Sequence, residues 1–127
     1  MEFETRQIFE NNEINKVCDF IYSEINDTYG HCNHLVICGS VAKIWSGILP
    51  ESYQPKDLDI QITDYLTYRF LVNNLHKWFP NMEVEARKMR LILYTGFVTI
   101  EFWGNPAKTD KKKKTKNIMY KGYGNTI

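Results

Sequence analysis

Between Asn12 and Asp27 the apolar side chains fall at Ile14, Val17, Cys18, Ile21, Tyr22 and Ile25. Steps of three and four place them in one stripe of an amphipathic helix. Asn11 or Asn12 suits its start and Gly30 its exit. His34–Cys38 is a short apolar run that stops abruptly at Gly39-Ser40, the pattern of an interior strand buried on both faces. Val41–Ile48 predicts a short helix, interrupted by Gly47 and stopped by Pro50. Leu49–Lys56 carries Pro50 and Pro55, has no period and reads as a loop. Asp57–Ile62 then alternates polar with apolar residues, which is strand periodicity.

Thr63 or Asp64 caps a further helix, whose predicted stripe is Leu66, Phe70, Leu71, Leu75 and Trp78, ended by Pro80. Three strands follow, at Met82–Ala86, Arg90–Tyr94 and Phe97–Trp103, with Thr95-Gly96 turning between the last two. Helices and strands in this order predict a mixed α/β (α+β) domain, with helices packed against a mixed sheet. No repeats and no further period are visible beyond Gly104.

Composition narrows the class. A chain of 127 residues, 43% hydrophobic and 14% aromatic, supports one packed core and excludes global disorder or a fibrous repeat. No apolar run approaches the roughly 20 residues of a membrane span. The opening MEFETRQIFENNE is acidic and amphipathic, unlike a signal peptide, so a cytoplasmic protein with reduced cysteines is expected. The cluster His31-Cys32-Asn33-His34 matches no standard zinc spacing and reads as an ordinary loop between helix and strand.

The net charge of +1 hides a division. Residues 1–103 hold nine Lys+Arg against fourteen Asp+Glu, whereas 104–127 hold seven Lys and one Asp. The division predicts one domain over 1–104 and a lysine-rich tail over 105–127. Lys108, Lys111, Lys112, Lys113, Lys114 and Lys116 repel one another and favour a solvated segment. The same run, 108–116, also suits a phosphate-seeking arm for nucleic acid or a triphosphate. Both readings stay open at this level.

Two features carry chemistry. The first is the strand that ends in Gly39-Ser40 and feeds a helix. Glycine lets the backbone approach a ligand closely, and outward amides with the Ser40 hydroxyl suit a phosphate. The second is Asp57-Leu58-Asp59-Ile60. Positions i and i+2 of a strand share a face, so both carboxylates point one way while Leu58 and Ile60 point into the core. Adjacent carboxylates repel, and a divalent cation that takes carboxylates together with substrate phosphates relieves the repulsion.

In combination, Cys38-Gly39-Ser40 followed by Asp57-Leu58-Asp59-Ile60 resembles the nucleotidyltransferase superfamily typified by DNA polymerase beta. Its hallmark is a hydrophobic residue before Gly-Gly or Gly-Ser, then a strand of alternating Asp and hydrophobic residues. The resemblance spans about His34 to Trp103 and implies a third carboxylate on a later strand. Glu101, between Ile100 and Phe102, matches that position. It further implies transfer of a nucleoside monophosphate from a triphosphate such as ATP to a hydroxyl. Asp57, Asp59 and Glu101 would hold Mg²⁺ (or Mn²⁺), Glu101 also taking the acceptor proton, and Gly39, Ser40 and Lys43 would hold the nucleotide phosphates. Lys56, directly before the acid pair, would also pair with phosphate, and Arg87, Lys88 and Arg90 near the strand hairpin would offset acidity.

The chain departs from the family pattern in three respects. Sixteen residues separate Ser40 from Asp57, a long spacer. The third acid is Glu rather than the commoner Asp. There is no room for the helical domain that many members use to grip substrate. A minimal single-domain member is therefore expected, acting on a small molecule or partner protein or beside a separate helical subunit. Two competing classes are a catalytically inactive nucleotide- or partner-binding domain of the same fold and a nucleic-acid-binding module acting through the tail.

Overall fold

The computed structural model describes residues 4–6, 11–104 and 118–120. Its elements are β1 (Glu4–Arg6), α1 (Asn12–Tyr29), β2 (Leu35–Cys38), α2 (Gly39–Trp45), β3 (Asp57–Ile62), α3 (Tyr65–Trp78), β4 (Glu83–Arg87), β5 (Arg90–Tyr94), β6 (Thr99–Trp103) and β7 (Ile118–Tyr120). Five strands form a mixed sheet in the order β2-β3-β6-β5-β4, in which only β3 and β6 run parallel. The expected mixed α/β class is the observed one.

Helix α1 follows its stripe closely. Ile14, Val17, Cys18, Ile21, Tyr22 and Ile25 are all buried, and Asn11 caps the start by accepting from the Glu13 and Ile14 amides. Gly30 ends the helix in the left-handed region at φ 81°, where its amide meets the Asn26 carbonyl. These residues pack with Leu71 and Leu75 of α3 against one face of the sheet, formed by Leu35, Ile37, Leu58, Ile60, Ile62, Leu91, Leu93, Ile100 and Phe102. Strand β2 is buried along its whole length, as its apolar run predicted.

The structure corrects the reading of α3. Leu66 is 67% exposed, and the buried positions are Thr67, Tyr68, Leu71 and Leu75. Leu71 and Leu75 of the expected stripe are buried and Phe70 and Trp78 pack partly against the core, so only the first turn departs, with Thr67 and Tyr68 on the line of Leu71 and Leu75 and Leu66 off it. A second departure lies in the tail: β7 pairs in parallel with β1, joining Glu4–Arg6 to Ile118–Tyr120. Three residues are too few to carry a period, and the pairing joins the two ends of the chain, so no local pattern announces it. The lysine run at 108–116 lies outside the described residues, as does the rest of the tail boundary.

Among the described residues no helix is long and apolar enough to cross a membrane. Cys18, Cys32 and Cys38 are unbridged and buried. Cys32 turns inward and donates to the Tyr22 carbonyl at 3.2 Å, and burial pushes its thiol up to about 12. His34 Nδ1 is bonded instead to Thr63 Oγ1 at 3.0 Å, so the His31–His34 segment serves as a loop.

Asp64 provides a test of the α3 cap. Its Oδ2 accepts from the Thr67 amide at 3.0 Å and the Thr67 hydroxyl at 2.9 Å, and these bonds hold its carboxyl below the usual 3.8. Asp64→Ala is expected to cost about 1 kcal/mol at pH 7, the ordinary value of such a cap. A depressed folded-state pKa gives stability that is present above the unfolded value and lost as pH falls through the folded one. The gap between variant and parent in urea denaturation should therefore close below pH 3.8.

Candidate functional site

Strand register builds the site. Asp59 lies opposite Cys38 on one side and opposite Glu101 on the other, while Asp57 lies opposite Thr99. Alternation puts Asp57, Asp59, Thr99, Glu101 and Trp103 on the sheet face away from the α1–α3 core, with Leu58, Ile60, Ile100 and Phe102 beneath. The three carboxylates expected from sequence thus share one face, and Asp59 and Glu101 are direct cross-strand neighbours.

Gly39 meets the same point. It has φ +70°, and a Cβ built there would lie 2.3 Å from Asp59 Oδ2 and 3.2 Å from Asp59 Cβ. Glycine is required at this position on two counts, the left-handed backbone and the bare space beside a carboxylate. Helix α2 starts at Gly39, two residues earlier than its pattern predicted, and ends at Trp45. Seven residues are fewer than two turns, so close backbone approach rather than a helix macrodipole is what the Gly-Ser corner offers. Ser40 follows, half-buried, and Lys43 occupies the last turn of α2. No ion pair joins the Lys43 ammonium to either aspartate among the described residues.

Each acid has a distinct setting. Thr99 Oγ1 donates to Asp57 Oδ1, and Trp103 Nε1 donates to Asp59 Oδ1 at 3.3 Å. Burial raises the Asp59 carboxyl above its ordinary 3.8; the Trp103 bond opposes this, and the nearby Glu101 and Asp57 charges add to it. Glu101 is 6% exposed, buried rather than solvent-facing, and its Oε1 accepts from Arg90 Nε at 2.7 Å and from Arg90 Nη2. The guanidinium carbon also lies 4.7 Å from the Trp103 ring centroid, a cation–π contact.

The donor set can be tested for a divalent ion. Asp57 and Asp59 each keep a second oxygen without a hydrogen-bond donor among the described residues, and that of Asp59 faces the space a Cβ would fill at Gly39. Two carboxylates plus substrate phosphates fit Mg²⁺. Glu101 is committed to Arg90, and among the described residues no three His, Cys, Asp or Glu side chains form a cluster able to hold a metal. The fit is to the aspartate pair.

Two clefts of about 370 Å³ each share Phe97 and Val98 in their walls. One is lined by Lys56, Asp57 and Tyr94–Thr99; the other includes Val41, Trp45 and Tyr53. Sequence reasoning missed these clefts because their walls come from loops and turns distant along the chain. It also missed the specific Arg90–Glu101 bond, whose only signal is the placing of both residues on one face of neighbouring strands. Comparison with family models, with curated proteins and with solved structures gave no match to this chain.

Gly39→Ala is expected to destabilise by roughly 3 kcal/mol, of which about 1–2 kcal/mol is the left-handed backbone and the remainder the clash with Asp59. In an Asp59→Ala background the clash with the carboxylate is gone and the backbone part persists with only the milder contact at the Cβ, so the two substitutions are non-additive in a denaturation cycle. An equal cost in both backgrounds would show that the carboxylate is not what demands glycine.

Proposed function

We propose that the chain is a nucleotidyltransferase of the kind to which its Gly-Ser and Asp-x-Asp motifs bear resemblance. It would transfer a nucleoside monophosphate from a triphosphate to a hydroxyl acceptor, with Mg²⁺ (or Mn²⁺). The observation that carries this reading is the meeting of the Gly39-Ser40 corner with Asp59, with Asp57 on the same face. A phosphate cradle and an acid pair are of use to each other only when they adjoin, and in this fold two strand registers make them adjoin.

The bound cation would neutralise triphosphate oxygens and make the acceptor hydroxyl more acidic. Asp57 and Asp59, oriented by the Thr99 and Trp103 bonds to one oxygen of each, would hold the ion. Gly39 and Ser40 receive phosphate oxygens, and Lys43, on the same short helix, balances their charge. The cleft that Asp57 lines falls in the 300–1,000 Å³ range typical of small-molecule sites and would receive the rest of the nucleotide. Glu101 serves as proton acceptor only once its oxygen is released by Arg90. The acceptor is a small molecule or a protein, and a separate helical subunit would contribute to gripping it.

A second reading has its own support. An acid already paired with arginine does not help a metal, so the Glu101–Arg90 bond favours a domain that binds nucleotide without transferring it. Labelled triphosphates incubated with Mg²⁺ and hydroxyl acceptors separate the two readings. Transferred label supports the enzyme; Mg²⁺-dependent binding without transfer supports the binding domain.

Asp59→Asn tests the site common to both. Calorimetry should show Mg²⁺-dependent triphosphate binding weakened at least tenfold, because one of two anionic ligands becomes neutral. The fold should survive. A carboxyl whose pKa is raised on folding is harder to ionise in the native state, so its charge lowers stability above the unfolded value. The variant should therefore be no less stable than the parent at pH 7, and any advantage should vanish below about pH 3.8. Unchanged triphosphate binding would remove the site.

A further inference from the structure

Five aromatic rings cross the outer side of the two long helices in an unbroken edge-to-face series. Tyr29 meets Phe70 with centroids 5.7 Å apart, and Phe70 meets Trp78 at 5.5 Å. Trp78 and Phe79 then meet Phe20 at 5.7 and 5.6 Å. Phe20 is 41% exposed and the other four are half-buried. Leu66, whose carbonyl accepts from the Tyr29 hydroxyl, extends the patch at one end. Beneath the rings, Ile21, Ile25, Leu71 and Leu75 already close the core against the sheet. Adjoining rings left in contact with water outside a closed core mark an interaction surface.

The same contacts fix how the helices lie. The end of α1 at Tyr29 meets the first turns of α3, and the middle of α1 at Phe20 meets its end, so the two run antiparallel. Their outward stripes carry opposite charge. On α1, Phe20, Glu24 and Asp27 follow one another at helical spacing; on α3, Leu66, Phe70, Asn73 and Lys77 do so, with Arg69 alongside. Helix α3 contains no acidic residue. Lys16, one turn before Phe20, is paired with Glu13, which leaves acid on the α1 side of the rings and base on the α3 side. Among the described residues no ion pair joins the two sides.

We propose that this face pairs with a second copy of the chain, about a two-fold axis that runs along the groove between α1 and α3. An apolar band edged by acid on one side and base on the other is complementary to itself under that rotation. Helix α1 of each copy then lies over α3 of the other, with rings against rings. Because the helices are antiparallel, Asp27 comes within about one turn of the second copy's Arg69, and Glu24 within about one turn of its Lys77. With the axis turned across the helices, α1 would lie over α1 and acid over acid, so charge selects the first arrangement. The result is a layer of four helices with a sheet on each outer side. The face bearing Asp57 and Asp59 points away from it and stays open, so the inference stands apart from the proposed function.

The test uses the full chain in sedimentation velocity over a wide range of concentration, where the parent should pass from monomer to dimer. Asp27 and Arg69 are exposed, so reversing either charge spares the core. Asp27→Arg alone and Arg69→Asp alone should each loosen the dimer by roughly tenfold or more, since each sets two like-charge contacts across the axis. An equimolar mixture of the two variants should recover the parental affinity, because each chain then meets the opposite charge at both positions. That recovery also shows that both variants fold. A parent that stays monomeric at every concentration overturns the proposal. So does a dimer that neither reversal loosens, which must use another face. A mixture that associates no more tightly than either variant alone overturns it as well.

Discussion

The parallel pairing of β3 with β6 is the constraint from which the site follows. It sets Asp59 beside Glu101 and Asp57 beside Thr99, and it puts Leu58, Ile60, Ile100 and Phe102 together on the other face. The apolar set enforces the register. A slip of one residue would turn those four side chains toward the acid face and bring carboxylates into the core, at a cost far above the few kcal/mol by which domains are stable. The positions of the acids are thus maintained by residues that never touch a ligand. The antiparallel pairing of β2 with β3 completes the arrangement by delivering the Gly39 turn to Asp59.

Charge on that face is arranged in a gradient. Asp57 lies near the end of the sheet with a hydroxyl partner; Asp59 is half-buried and bonded to an indole; Glu101 is buried and matched with a full cation. The strength of the counter-group rises with depth, as desolvation requires. This ordering gives each of the three acids on these neighbouring strands a counter-group suited to its depth.

Much of this could be read from residue order, for identifiable reasons. Helix α1 was legible because six apolar positions repeat over about three turns and both caps are local, and β3 because alternation over six residues is decisive. The acid pair and the Gly-Ser corner were visible as motifs, and Glu101 stood out as the one acid in an apolar strand. What could not be read depends on register between strands: that Arg90 reaches Glu101, that Trp103 reaches Asp59, and that Glu101 is buried. Leu66 misled because a stripe drawn from hydrophobicity alone passes over Thr67 and Tyr68, which stand at helical spacing from Leu71 and Leu75 and are buried in its place. The β1–β7 pair was hidden by its three-residue length and by the separation of its partners.

Trp103 connects fold to chemistry in one further way. It lies at the end of β6, half-buried, beside Gly104, whose amide bonds the Met89 carbonyl at 2.9 Å. That bond ties the end of β6 to the β4–β5 turn, immediately before Arg90. A Cβ at Gly104 would fall 2.9 Å from the Met89 side chain and 3.0 Å from the Tyr68 ring, so the close contact there depends on glycine. The anchor fixes the start of β5, and with it the backbone of Arg90, against the end of β6. The register that sets the acids side by side thus also sets the arginine that shields the most buried of them, so the charge balance of this face follows from strand pairing rather than from any one side chain.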